Sequence, residues 1–241
     1  AQTYDLKRFK ADNGLQENYI YSVVQDELDF LWISSTSGLY RFDGKDFVNY
    51  TKEDGLAATF TNCSFRDASG HVWFGHGNGT ISLLEGQTFK TDILEEGAFS
   101  GKVTSIIQDE QGYIWMAFQR EGLLRIDTAD YKYKVYSIGF EGLHITALTA
   151  LSGNRHLIGT DQGPMVCTYA GSDVDSLKPI AGFPLEAVTA ILQRRGRDSY
   201  WIGTEESGLF QYFPDRTDLE TQLVAYDSES LLGVSQIKSL Y

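Results

Sequence analysis

The chain has 241 residues, a formal net charge of −13, a 42% hydrophobic and a 13% aromatic fraction, 24 glycines and only 4 prolines. At about 100–200 residues per domain it forms one large or two small domains, and its apolar and charged fractions are too balanced for disorder. No apolar run reaches the roughly 18 residues of a membrane helix. The acidic balance excludes the footprint of a nucleic-acid binder and a polybasic membrane patch. Many rings and glycines with few prolines point to short strands joined by tight turns.

The first residues, Ala1-Gln2-Thr3 without an initiator Met, read as a mature N terminus left by signal-peptide cleavage, or as a boundary set at that site. Both readings predict an exported, periplasmic protein. Tyr4 to Phe9, followed by Asp12-Asn13-Gly14-Leu15, resembles the outer strand of a sheet and its exit loop. Residues 1–15 are therefore expected to be an orphan outer strand.

Trp32, Trp73, Trp115 and Trp201 are the only tryptophans, and each is followed within six or seven positions by a glycine: Gly38, Gly79, Gly122 and Gly208. A fourth copy has Leu157 at the tryptophan position and keeps Gly163. The five markers recur at intervals of 41, 42, 42 and 44 residues. A fixed period of this length signals a repeat architecture.

The third copy shows the predicted elements. Val103 to Gln108 is strand a, Asp109 to Gly112 a turn, Tyr113 to Phe118 strand b, Leu123 to Asp127 strand c, and Tyr131 to Tyr136 strand d. The first copy has Asp29 at the turn-glycine position, and aspartate also visits the left-handed region. Four strands per repeat without a helical period predict an all-β fold, a β-propeller of four-stranded antiparallel blades. Stacking buries both faces of each blade. The expected blades are 18–56, 57–100, 101–143, 144–185 and 186–232, within a single propeller segment spanning 1–241. Residues 233–241 read as the first strand of a sixth repeat. Five complete blades with orphan strands at both ends predict part of a larger ring. The rivals are a five-bladed ring with both extra strands docked on it, and a two-sheet sandwich. The tryptophans are read as packing wedges between blades, and Cys63 and Cys167 as buried thiols without a disulfide.

Gln25-Asp26, Leu31-Trp32-Ile33 and Gly38-Leu39-Tyr40-Arg41-Phe42-Asp43 resemble the two-component regulator propeller repeat. So do Gln108-Asp109, Ile114-Trp115 and Gly122-Leu123-Leu124-Arg125-Ile126-Asp127, and Trp201-Ile202-Gly203-Thr204 with Gly208-Leu209-Phe210. Gly79-Thr80-Ile81, Leu157 and Gly163-Pro164 depart from the pattern, so an irregular fourth blade is expected. The resemblance implies a periplasmic sensor region of a histidine kinase of the kind found in Bacteroidetes, in a family associated with sensing oligosaccharides. It also implies a second propeller, a small β-sandwich, a membrane helix and a cytoplasmic output module elsewhere in the polypeptide.

No nucleophile elbow, phosphate loop, zinc spacing or His-Glu-x-x-His motif is present, so no catalytic residue, metal or cofactor is expected. His71 and His156 read as packing or rim residues, and His76 and His144 as loop residues. In an antiparallel blade the d-to-a and b-to-c loops share one face. The loop carboxylates at 53, 54, 95, 96, 121, 141, 161, 186, 205 and 206 make that face acidic. It should repel polyanionic glycans and admit a neutral or cationic ligand, or one arriving with Ca²⁺. The bland alternative is solvated loops that bind nothing. The expected ligand contacts are His76, Asn78, Phe118, Arg120 and His144, while Arg41 and Arg125 are expected to bond a neighbouring blade's backbone.

The leading function is a non-enzymatic sensor propeller. A protein-interaction scaffold of an exported assembly and a propeller lyase are the alternatives. A lyase requires a convergent His/Glu pair, for which His76 with Glu121 is the pairing to inspect. The expected partners are a small oligosaccharide or other neutral ligand, the rest of its own polypeptide and a second copy in a homodimer.

Overall fold

A computed structural model describes residues 9, 14–17, 19–137, 139–170, 173–194, 197–218, 222–226 and 236–238. Residues 1–8 and 10–13 of the expected orphan strand lie outside these, as do 233–235 and 239–241 of the expected sixth repeat. Among the described residues, twenty strands form five four-stranded antiparallel sheets, each paired in sequence order. Blade 1 holds β1 (Ile20–Gln25), β2 (Leu31–Ser35), β3 (Gly38–Phe42) and β4 (Phe47–Tyr50). Blade 2 holds β5 (Thr61–Arg66), β6 (Val72–His76), β7 (Ile81–Glu85) and β8 (Thr88–Lys90). Blade 3 holds β9 (Val103–Gln108), β10 (Ile114–Phe118), β11 (Gly122–Ile126) and β12 (Tyr133–Tyr136). Blade 4 holds β13 (Ile145–Leu151), β14 (Arg155–Thr160), β15 (Gly163–Ala170) and β16 (Asp173–Pro179). Blade 5 holds β17 (Val188–Gln193), β18 (Tyr200–Thr204), β19 (Leu209–Tyr212) and β20 (Leu223–Tyr226). These are the blades of a β-propeller. The chain divides into two compact units, Ala1–Val103 and Thr104–Tyr241, described separately below.

Strand b of each blade is the core. Every residue of β6 and β10 is buried, so both faces of these strands are covered. The middle of strand b is small where the next blade's first strand approaches. A Cβ added at Gly75 would lie 2.6 Å from Val103 Cγ1. The same addition at Gly159 would lie 2.7 Å from Val188 Cγ1, and at Gly203 2.7 Å from Ile237 Cγ2. A register shift opens strand a in blades 1, 2, 4 and 5. The residue it displaces can bond the segment that packs on the blade next: the Asn62 amide donates to the Val103 carbonyl, and the Thr189 hydroxyl to the Ile237 carbonyl.

The marker glycines begin strand c with positive φ, as at Gly38 (136°) and Gly122 (93°). A side chain there would strike the carbonyl that ends strand d, Tyr50 O or Tyr136 O. Asp29 takes the left-handed conformation (φ 64°) that the turn requires.

The a–b turns are strapped to the tryptophans. Asp26, Asp67 and Asp109 each accept the indole N–H of Trp32, Trp73 and Trp115, at 2.7, 2.9 and 2.7 Å. The other oxygen of each carboxylate accepts two backbone N–H groups of its turn, as from Ser69 and His71 at 2.9 and 3.0 Å. One buried carboxylate thus closes the turn and orients the wedge. Trp32 meets Phe74 and Phe89 of blade 2, and Trp115 meets His156 and Tyr169 of blade 4. In blade 5 the turn from Arg194 to Ser199 is one residue longer, and Trp201 is only half-buried against Tyr226 of its own blade.

One expectation needs correcting. Arg41 and Arg125 do not reach a neighbouring backbone. They lie over rings of their own blade, 4.6 Å from Phe30 and 4.5 Å from Tyr113, where a flat guanidinium stacks well. Blade 4 forms a full four-stranded sheet despite its missing tryptophan, with the eight-residue β15 and seven-residue β16. Its a–b turn shrinks to the residues between Leu151 and Arg155, with Asn154 left-handed at φ 54°. Both cysteines are free and buried. Burial pushes the Cys63 thiol up to about 12 and that of Cys167 to about 11.

Replacing Asp67 by Ala removes one indole and two turn hydrogen bonds, and should lower stability by about 2–3 kcal/mol in urea melts. Asp67→Asn should recover part of that. Gly159→Ala should cost about 1–3 kcal/mol through overpacking against Val188. An unchanged urea midpoint in either alanine variant contradicts these roles.

Candidate functional site

The d-to-a and b-to-c loops meet on one face of each unit because strand a enters beside the b–c turn. In Ala1–Val103, Gly77 N–H donates to Phe60 O at 3.1 Å. In Thr104–Tyr241, Asp161 N–H donates to His144 O at 3.1 Å and Glu205 N–H to Ala187 O at 3.1 Å. Ile145 N–H donates to Gln119 O at 2.9 Å, tying blade 4 to the b–c turn of blade 3.

Two of the five expected ligand contacts come together here. Arg120 Nε donates to His144 Nε2 at 2.7 Å. The His144 backbone N–H donates to Asp161 Oδ1 at 3.0 Å, and its Nδ1 lies 3.9 Å from Asp161 Oδ2. Because Nε2 accepts, the ring's proton sits on Nδ1, the side facing Asp161. The result is a partly exposed row of guanidinium, imidazole and carboxylate spanning blades 3 and 4.

The other three contacts are placed differently. His76 is not a loop residue: it ends β6 and has no exposed surface. Its Nδ1 lies 3.2 Å from both Thr61 Oγ1 and Phe60 O, and its Nε2 lies 2.8 Å from Ser82 Oγ. Burial pulls its pKa down to about 4, so it is a neutral bracket between strands. Neither ring nitrogen is left for a pairing with Glu121. Phe118 is fully buried in β10 and offers no open ring to a ligand. Asn78 is exposed, but its Oδ1 accepts the Thr80 hydroxyl at 2.7 Å and caps its own turn. His156 is buried, as a packing residue should be, whereas His71 lies 3.3 Å from the Asp67 carboxylate.

Several loop carboxylates are structural. Asp54 caps the turn at Thr51, Glu141 accepts Gly139 N–H at 2.9 Å, and Asp161 accepts His144 N–H. Glu186 accepts the N–H groups of Glu206 and Ser207 at 2.9 and 3.1 Å. Glu53, Glu95 and Glu96 in Ala1–Val103, and Glu205 and Glu206 in Thr104–Tyr241, remain exposed, which keeps the loop face of each unit acidic. In Ala1–Val103 this face also holds a cavity of about 380 Å³ lined by Lys52, Ala57, Thr80, Asp92, Glu95 and Glu96. Sequence reasoning missed it because residues 91–99 form an irregular loop without periodicity. Among the described residues no group of three His, Cys, Asp or Glu side chains can hold a metal ion, and no helix is long and apolar enough to cross a membrane.

No family model and no curated protein matches the chain. Solved structures do. The extracellular domain of a hybrid two-component system of B. thetaiotaomicron aligns over 98% of this chain and 39% of its own, at 19% identity and a TM-score of 0.66. The extracellular domain of a one-component system of the same organism aligns over 93% of this chain and 30% of its own, at 17% identity and a TM-score of 0.66. A catalytically inactive virginiamycin B lyase of Staphylococcus aureus, with quinupristin, aligns over 86% of this chain and 69% of its own, at 15% identity and a TM-score of 0.68. What is shared at these identities is the propeller fold. The chain spans well under half of the two extracellular domains.

Burial holds His76 and His156 neutral, with pKa values near 4 and 3, whereas an unfolded histidine titrates near 6.5. The unfolded chain therefore gains protons first as pH falls. Stability from these sites is full above pH 6.5 and is lost progressively toward pH 4, at up to about 1.4 kcal/mol per pH unit for each residue. Urea midpoints at pH 7.5 and 5 should differ less in His156→Phe than in the parent. An equal difference contradicts a buried neutral His156.

Proposed function

We propose that this chain is a ligand-reading, signal-transmitting propeller of an exported two-component-type protein, without catalysis of its own. The observation that carries this reading is the alignment of 98% of the chain with the extracellular domain of a hybrid two-component system. Its place outside the cytoplasm, its output through the remainder of the polypeptide and its work as a homodimer belong to the same proposal. Ile237 is consistent with a sixth repeat, since it packs on Gly203 as Val188 packs on Gly159.

The lyase reading is weaker on chemical grounds. His76 is buried with both nitrogens engaged, and the Nε2 of His144, where a base would act, already accepts from Arg120. The acidic rim favours a small neutral ligand, such as an oligosaccharide, over a polyanion. Arg120 and His144 would supply its polar contacts.

Calorimetric titration with neutral malto-, cello- and xylo-oligosaccharides and with a heparin fragment tests the ligand class. Binding of a neutral member, weakened at least about tenfold (~1.4 kcal/mol) by Arg120→Ala, is expected. Salt-sensitive binding of the heparin fragment alone would overturn the reading of the rim. Failure of every sugar, with capture of a protein partner, would favour the scaffold alternative.

A further inference from the structure

Two slots between adjacent blades share one frame and differ in what fills them. In blades 1 and 2, Trp32 is tied to Asp26 and Arg41 lies over Phe30. Tyr50, Leu84 and Phe89 close that slot to about 60 Å³. In blades 3 and 4 the frame recurs, with Trp115 tied to Asp109 and Arg125 over Tyr113. Here the cavity is about 210 Å³. It is formed by the a–b turns, at the ends of the strands away from Arg120 and His144.

The wall contributed by blade 4 is polar where it should be apolar. His156 immediately precedes the marker position, where blade 2 has Val72. It is 3% exposed, and its ring centre lies 4.4 Å from that of Trp115. Both of its nitrogens are buried and neither has a hydrogen-bond partner. A neutral imidazole carries one donor and one acceptor, so a buried N–H is left without a partner among the described residues, which is unfavourable. Such groups in folded proteins are normally satisfied by a water, an ion or a ligand.

The charged groups around the slot divide into committed and free. Asp109 spends both oxygens on Trp115 and its own turn. Arg155 is held by Asp215 at 3.0 Å and by Ser152 O at 2.9 Å. Glu110 is exposed on the outer lip. Arg125 has no ion pair or hydrogen bond among the described residues, and stacking on Tyr113 holds its fork in place. Its paired donors match a carboxylate, and one ring nitrogen of His156 matches a hydroxyl, which can donate or accept. At ~30 Å³ per water the space would hold roughly seven waters, or one small organic molecule.

We propose that the slot between blades 3 and 4 binds a small hydroxylated carboxylate, with Arg125 taking the carboxylate and His156 a hydroxyl. The site is separate from the loop face and does not depend on the sensor reading.

The test is an NMR titration of the whole chain, following the His156 imidazole and Trp115 indole signals. Gluconate and glycerate are the probes, with sorbitol and glycerol as uncharged counterparts and chloride as an ionic control. Saturable shifts with a carboxylate below roughly 20 mM are expected, at least tenfold weaker with the polyol. Arg125→Gln should weaken binding about tenfold (~1.4 kcal/mol), while Arg41→Gln, in the closed slot, leaves it unchanged. His156→Phe should abolish the selectivity for hydroxylated acids over acetate while the thermal midpoint stays within a few degrees. Equal response to polyol or chloride, no saturation, or unchanged affinity in Arg125→Gln would overturn the proposal.

Discussion

Three of the described contacts from one blade's strand b to the next repeat depend on the absence of a side chain at one position. At Gly75, Gly159 and Gly203 the chain brings Val103, Val188 or Ile237 so near that a Cβ would overlap it, while the short Ser34 and Ala117 hold that place in blades 1 and 3. That approach lets the residue displaced by the register shift act across the interface, as Asn62 and Thr189 do. The inner strands are therefore joined by backbone and short polar side chains, and large apolar side chains are displaced outward to the wedge. Position along the blade decides chemistry: hydrogen bonds at the mouth of strand a, aromatic packing toward the a–b turn.

The strap of aspartate to tryptophan serves the second region. A buried indole N–H must be met, and the turn's own backbone donors must be met as well. One carboxylate does both, so the turn and the wedge are set together. Where the carboxylate is lost the wedge changes too. Blade 4 has Leu157 in place of tryptophan and a shortened turn, and blade 5 has a lengthened turn and a half-exposed Trp201. The interface of blades 3 and 4 thus joins an intact strap to a blade that lacks one. His156 and Tyr169 occupy the room that a regular blade would fill with apolar groups. An inter-blade slot with buried polar groups follows from that mismatch.

The fold was legible in the sequence because its signals are local. A left-handed glycine or aspartate, a two-residue alternation and a fixed spacing each act within a few residues, and together they place every blade. The site was only partly legible because burial at a strand end is not a local property. His76 stands one residue before the Gly77-Asn78 turn and reads as part of it, yet Thr61, Phe60 and Ser82 from neighbouring segments enclose it. Phe118 ends its strand in the same way. Arg120 and His144 were recognisable as loop residues on a shared face, but not as partners, since 24 positions separate them and only the backbone bond from Ile145 to Gln119 aligns them. Arg125 was misread because its stacking partner, Tyr113, lies across the b–c hairpin on the paired strand's edge, and the sequence gives no sign that a ring is preferred to a carbonyl.

The loop carboxylates show how charge can be both structural and functional. Asp54, Glu141, Asp161 and Glu186 accept backbone N–H groups, which fixes loops that have no strand ladder of their own. A carboxylate fixed in this way keeps its charge where a mobile one would average over solvent. In Thr104–Tyr241 the exposed Glu205 and Glu206 then add to a field whose origin does not move. Arg120 of the same unit is held by His144, its Nε donating to Nε2 at 2.7 Å. Asp161 in turn accepts the backbone N–H of His144, so guanidinium, imidazole and carboxylate keep one order across blades 3 and 4 although their loops are far apart in sequence.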